Sequence, residues 1–118
     1  MSTMPSEDTL RLLDTLLRPD DPVHAVLRTH VPHLRVTSVC GCGCDSPSFE
    51  LDTTLVEPAQ VEPGTGIVAE ADFVTAEGVH AGEVLVFARG GYLSWLEVCT
   101  WDETVEVTVA TARQLLCP

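Results

Sequence analysis

Three cysteines recur at every second residue in the segment 40–44, where Gly41 and Gly43 separate Cys40, Cys42 and Cys44. In an extended backbone alternate side chains point to the same face, so the three sulfur atoms would form one row. Thiolates are soft ligands, and a group of them suits a soft metal such as Zn²⁺ or Cu⁺, as well as redox chemistry. This segment is therefore the first candidate for a functional site.

A zinc site would need a fourth ligand and a curved backbone. Side chains two residues apart on an extended strand are separated by roughly 6.5–7 Å, too far for one tetrahedral centre, so the two glycines would have to let the chain curl. Cys99 is the fourth thiolate of this hypothesis, with His33 and His80 as other ways to complete the shell. The alternatives are small buried apolar cysteines or a redox pair, although the C-x-x-C spacing is absent.

Recognisable catalytic motifs are absent from the chain. There is no G-x-S-x-G elbow, no phosphate-binding loop and no dinucleotide fingerprint. We therefore predict no catalytic residue and favour a non-enzymatic role over an enzyme with a cysteine nucleophile.

A second candidate site lies near the C-terminal end of the sequence. Alternation predicts one strand face that carries Leu93, Trp95, Glu97, Cys99 and Trp101. Either Glu97 is a buried carboxylate with a raised pKa, or the face is half-exposed and binds a protein, since aromatic side chains ringed by acids are common in such surfaces. We favour the binding surface. Its predicted partner-binding residues are Trp95, Glu97, Trp101, Glu103 and Glu106.

The charge distribution supports a protein partner of opposite sign. The formal net charge is −12, of which residues 45–118 contribute −11 through thirteen acids and two arginines. Such a field repels nucleic acid and anionic membranes and steers a basic protein toward the chain. A purely solubilising role for the acids is the alternative. The oligomeric state is not set by these features.

The hydropathy pattern predicts one domain over residues 1–118, with residues 1–5 as a flexible lead. No apolar run approaches the ~20 residues of a membrane span, and no secretory signal is recognisable, so we expect a cytoplasmic protein. Ser6 is a predicted helix cap, and Asp20-Asp21-Pro22 is the start signal of a second helix; their apolar stripes end at Pro19 and Pro32.

From residue 33 on, period-two alternation predicts strands, among them one that continues to Leu55. Gly90-Gly91 predicts a hairpin turn. The last segment, 105–109, is predicted as a strand, with a helix from Ala110 as the alternative. Helices followed by strands indicate an α+β fold. The helical pair would pack on one face of a mainly antiparallel sheet of five or six strands, leaving an acid-rich face on the other side.

The segment Gly91-Tyr92-Leu93-Ser94-Trp95-Leu96-Glu97 resembles the G-x-L-x-x-L-E hairpin strand of small, uncharacterised families from high-GC bacteria, some of them immunity-like. Arginine provides all six positive side chains and lysine is absent, which is consistent with such a genome. Together with the cysteine cluster, the resemblance implies a non-enzymatic module. The resemblance assigns no catalytic or binding role to any residue of this chain.

Overall fold

The computed structural model of the chain describes residues 3–40, 46–61, 66–74, 77–100 and 107–116. Two helices come first and a sheet follows, so the predicted α+β fold with an N-terminal helical pair is confirmed. Strands that are neighbours in the order β1-β2-β5-β4-β3 run antiparallel. The elements are α1 (Glu7–Leu16), α2 (Pro22–His30), a 3-10 turn (Val31–His33), β1 (Arg35–Val39), β2 (Pro47–Glu50), β3 (Ile67–Val74), β4 (His80–Arg89), β5 (Tyr92–Thr100) and α3 (Val109–Leu116).

Helix α1 begins at the predicted cap Ser6, and α2 begins within the predicted start signal, with Asp21 as its cap. The Ser6 hydroxyl accepts the backbone N–H of Thr9 at 3.2 Å, which satisfies a donor that the first turn of α1 leaves unpaired. The Asp21 carboxylate accepts the N–H groups of Val23 and His24 at 2.9 and 3.1 Å. These bonds, that of His24 first, lower the pKa of Asp21.

Arg28 joins the two helices at the C-terminal end of α1. Its guanidinium donates to the backbone carbonyls of Asp14 and Leu17, which α1 itself leaves unpaired. The same group pairs with the Asp14 carboxylate at 2.6 Å. The helical pair is therefore fixed by polar bonds as well as by its apolar stripes.

The helices cover one face of the sheet. Val84 and Val86 of β4, and Leu96 and Val98 of β5, belong to the same buried cluster as the leucines of α1 and α2. Leu85 and Phe87 alternate with these residues and are also largely buried, but they lie outside that cluster. The two faces of β4 thus have different surroundings, and the continuous apolar run 84–88 supplies side chains to both faces.

Register irregularities move two side chains away from their predicted faces. In β5 the pairing shifts between Phe87↔Trp95 and Ala88↔Leu93, so Leu93 is buried in the core instead of sharing the face of Trp95. In β1 the pairing shifts between Val36 and Ser38. A one-residue shift reverses which face a side chain occupies. Cys40 is exposed, so the alternative of small buried cysteines is wrong for this residue.

Two other elements differ from prediction in length. The strand predicted to continue to Leu55 ends at Glu50, because the Asp52 carboxylate accepts the N–H and hydroxyl of Thr54 and forms a turn. The last predicted strand, 105–109, is not formed at residues 107–109, and the helix predicted as the alternative is present as α3 from Val109. Residues 105 and 106 lie outside the described ranges.

The outer edge of β1 is paired with the N-terminal segment. Thr3 and Val36 exchange two backbone hydrogen bonds, at 3.1 and 2.6 Å, in an antiparallel bridge. Val36 therefore has both of its outward backbone groups satisfied by the chain's own N-terminal segment.

No helix in the described part of the chain is both long enough and apolar enough to cross a membrane.

Candidate functional site

The side of the sheet that faces away from the helices carries most of the candidate chemistry, and we call it the outer face. Its residues can be assigned from the register, because residues directly opposite in neighbouring strands share a face. Leu85 pairs with Glu97 on one side and Glu70 on the other, while Glu83 lies between Cys99 and Asp72. The outer face includes Ser48, Ile67, Glu70, Asp72, Glu83, Leu85, Phe87, Trp95, Glu97 and Cys99.

An aromatic pair forms the apolar part of the outer face. The rings of Trp95 and Phe87 are stacked with centroids 4.1 Å apart and planes inclined by 13°. Phe87 is only 9% exposed, whereas Trp95 is half-buried and leaves part of its indole accessible. Stacking fixes the indole orientation, so Trp95 can offer a rigid apolar surface with little loss of conformational entropy on binding.

Four carboxylates lie on one side of this pair, in the next two rows of residues across the sheet. Glu97 and Glu70 flank Leu85 across three strands, and Asp72 lies directly opposite Glu83. Like charges directly opposite in a sheet are destabilising, so this row favours the approach of a cation. In the described ranges the ion pairs involve Glu7, Asp8 and Asp14, and none involves a carboxylate of the outer face.

The other predicted partner-binding residues are Trp101, Glu103 and Glu106, which lie outside the described residues. Trp95 and Glu97 share the outer face as expected, and Glu97 is half-buried instead of enclosed in the core. Sequence reasoning did not assign Glu70, Asp72 or Glu83 to the site. Their alternation on β3 and β4 was readable, but their position beside Glu97 depends on the strand order.

The described cysteines lie at one end of the sheet. The backbone N–H of Cys40 donates to the carbonyl of Ser46 at 2.8 Å, and the Ser46 hydroxyl accepts the N–H of Val98 at 3.0 Å. Cys99 follows Val98 in β5, and β2 is the one strand between β1 and β5. Two inter-strand spacings therefore put the backbone of Cys40 roughly 10 Å from β5. Cys42 and Cys44 lie outside the described residues.

The other predicted metal ligands are divided between the ends of the sheet. His33 precedes β1 while Cys40 follows it, so these two lie at opposite ends of the strand. His80 begins β4, near the end of β5 that carries Cys99. Among the residues that the structure describes, no three His, Cys, Asp or Glu side chains are grouped so that they could hold a metal ion.

Two helical histidines are used as structural bridges. The ring of His30 is fully buried, and its Nε2–H donates to the carbonyl of Glu57 at 2.6 Å. Its Nδ1 accepts the N–H of Leu93 at 3.5 Å, and the ring stacks on Tyr92. We assign these tautomers from the hydrogen-bond partners.

The ring of His24 is bonded through both nitrogens as well. Its Nδ1 accepts the N–H of residue 18, and its Nε2 contacts the carbonyl of residue 68 at 2.7 Å. Neither ring has a nitrogen left for a metal.

Two open hollows of about 430 and 410 Å³ share His33 and Leu55 in their linings. Both linings mix apolar and polar side chains. Arg35, Glu50 and Asp52 line the smaller hollow, and Glu57 lines the larger one. Hydrogen bonds from Thr54 lower the pKa of Asp52, which keeps that carboxylate ionised. The smaller hollow therefore combines a guanidinium with two carboxylates in its lining.

Comparison with known proteins gave no match to any family model, and searches of curated proteins and of solved structures gave none either.

Proposed function

We propose that this chain is an acidic, non-enzymatic binding protein that docks a basic protein partner through the outer face of its sheet. The observation that carries the proposal is the stacked Trp95–Phe87 pair, which lies outside the helix-covered core and is bordered by carboxylates. A rigid aromatic anchor inside a polar rim is the usual composition of an interface hot spot.

Electrostatics supports the choice of a basic partner. The outer-face carboxylates have no ion-pair partner in the described part of the chain, and the chain as a whole carries a formal charge of −12. This field accelerates the approach of a positively charged surface, and salt screens the attraction. An arginine of the partner could stack on the indole of Trp95 and pair with Glu97. An immunity-like or inhibitor-like role, the class that the sequence resemblance suggests, is consistent with this chemistry.

The test is affinity capture from an extract of the source cells, followed by reconstitution with each purified captured protein. We expect captured proteins with a high isoelectric point and an affinity that falls as salt is raised. Trp95→Ala should weaken binding by at least roughly tenfold, as loss of a hot-spot aromatic residue does. Glu97→Gln should weaken binding less and reduce its salt dependence.

Asp20→Asn is the matched control, because it removes one exposed carboxylate in the turn between α1 and α2. Its affinity should stay within about twofold of the parent protein, as for a charge far from an interface. Partners that are not basic, or affinities that Trp95→Ala leaves unchanged, would remove the basis for the proposal.

A second candidate function is a soft-metal protein, with zinc bound by Cys40, Cys42, Cys44 and Cys99. The observation that favours it is that Cys40 and Cys99 lie at the same end of the sheet, where Ser46 bonds to Cys40 and to Val98, the residue before Cys99. Elemental analysis of protein purified without chelator should then show zinc in stoichiometric amount, and Cys99→Ser should lower that amount. Protein that is free of metal and whose melting temperature does not respond to added Zn²⁺ would exclude this function.

A further inference from the structure

The two edges of the sheet are not equivalent. The outward backbone groups of Val36 in edge strand β1 are bonded to Thr3. At the other edge, the carbonyl of Val68 in β3 accepts a hydrogen bond from His24 Nε2 at 2.7 Å. Glu70 and Asp72 follow on β3, and both are exposed.

The direction of the His24 bond shows which backbone groups of β3 face the open edge. The Val68 carbonyl points away from β4, and a trans peptide places the N–H of Ala69 on the opposite side, toward β4. The pairing with β4 is regular from Ala69 to Phe73, so the direction alternates residue by residue. Glu70 and Asp72 therefore present their N–H and C=O groups outward, and no described residue bonds to them there.

The carboxylates of the same two residues decide what can pair with this edge. A second copy of β3, placed antiparallel, would bring Glu70 of each chain opposite Asp72 of the other. Like charges in that position are destabilising. A strand with arginine or lysine at alternate positions would instead place a cation opposite each carboxylate. Its backbone would satisfy the outward groups of both residues.

We infer that the open edge of β3 accepts an extended basic segment of the partner as an additional antiparallel strand, with cationic side chains opposite Glu70 and Asp72. This inference rests on the proposed function and gives the partner's conformation. The docked strand extends the outer face beyond β3, so the partner's remaining surface can reach Leu85 and Trp95.

N-methylation of a model peptide tests this geometry directly. The probe is a short, capped peptide that alternates threonine and arginine. In an antiparallel pair, two directly opposite residues whose backbone groups point toward each other exchange N–H···O=C bonds. The arginines of the peptide would lie opposite Glu70 and Asp72, so their amides would bond to the backbone of these two residues. N-methylation of the arginine amides removes these bonds. N-methylation of the threonine amides alters only the side of the peptide that faces away from β3. The resulting peptide has the same charge and is the matched control.

The experiment is an NMR titration of the full ¹⁵N-labelled chain at low salt, with amide hydrogen exchange measured at saturation. We expect the unmodified and threonine-methylated peptides to bind and to slow exchange of the Glu70 and Asp72 amides. The arginine-methylated peptide should bind at least roughly tenfold more weakly.

Equal affinity of the two methylated peptides, without slowed exchange at Glu70 and Asp72, would overturn strand addition. If Trp95→Ala then still weakened binding, docking on the outer face would survive as the function. Failure of every peptide to bind would overturn strand addition as well. Docking on the outer face would then be decided by capture of a folded basic partner.

Discussion

At the scale of single residues, His30 of α2 is fixed by two hydrogen bonds and a ring contact. It is a fully buried imidazole whose partners are the carbonyl of Glu57, the N–H of Leu93 and the ring of Tyr92. These partners belong to a loop and to strand β5, so one side chain on α2 connects three parts of the fold. Buried polar groups of this kind are costly to leave unpaired.

We expect His30→Ala to lower the free energy of unfolding by roughly 2–4 kcal/mol. The substitution leaves a cavity and removes the hydrogen-bond partner of the Glu57 carbonyl and of the Leu93 N–H. Urea denaturation followed by circular dichroism measures this change. His33→Ala is the control on the next turn of chain, since His33 is half-buried and lines an open hollow. Similar losses for the two variants would contradict the bridging role of His30.

The N-cap of α2 gives a pH dependence with a defined sign. Hydrogen bonds from the backbone lower the pKa of Asp21 below its ordinary value of 3.8. Because the folded-state pKa is the lower one, the cap contributes stability above the ordinary value and loses it as the pH falls through the folded value. Asp21→Ser retains a capping oxygen that does not titrate.

The difference in melting temperature between the parent protein and Asp21→Ser should therefore change between pH 6 and pH 3, to the disadvantage of the parent protein at the acid end. Thermal unfolding by circular dichroism across this range is the measurement. A difference that does not vary with pH would show that ionisation of Asp21 makes no contribution.

At the scale of elements, the β4–β5 hairpin is fixed by its turn. Gly90 and Gly91 have φ values of 61° and 90°, the left-handed region that glycine adopts without strain. A Cβ on Gly91 would lie 2.5 Å from the carbonyl oxygen of Ala59, whereas a Cβ on Gly90 would meet nothing within 4 Å. The loop around Ala59 also donates its N–H to the carbonyl of Gly91 at 2.8 Å.

Gly91→Ala should therefore destabilise the protein by about 2–3 kcal/mol, through backbone strain and the clash with Ala59. Gly90→Asn is the matched control, since asparagine tolerates this φ and Asn-Gly is a preferred hairpin turn, and it should be nearly neutral. Chemical denaturation distinguishes the two variants. Equal stability of both would mean that the loop moves away from Gly91 at little cost.

Features determined by nearby residues could be predicted from the sequence, and features determined by strand pairing could not. The caps Ser6 and Asp21 and the Gly90–Gly91 turn depend on a few adjacent residues. The bulge that removes Leu93 from the face of Trp95 depends on how β5 aligns with β4. Similarly, alternation places Trp95 and Glu97 on one face, but only the order β5-β4-β3 brings Glu70 and Asp72 into the same surface.

At the scale of the whole molecule, charge repulsion limits stability and salt should relieve it. The chain has a formal charge of −12, and Asp72 lies directly opposite Glu83. We expect the melting temperature to rise as moderate salt is added, because screening weakens repulsion between exposed charges. Asp72→Asn should raise stability by about 0.2–1 kcal/mol at low salt and should reduce the response to salt.

Asp20→Asn again serves as the control, since it removes the same charge from an exposed turn outside the sheet. Differential scanning calorimetry over a series of salt concentrations compares the variants. If both raised the melting temperature equally, net charge alone would account for the effect, and the pairing of Asp72 with Glu83 would contribute nothing.

The bond between Thr3 and Val36 also bears on stoichiometry. A sheet with two open edges can add strands on both sides and grow into a polymer. The bond to Thr3 opposes addition beside Val36 of β1, so we expect the incoming segment to add at β3 alone. Light scattering should then show discrete one-to-one complexes.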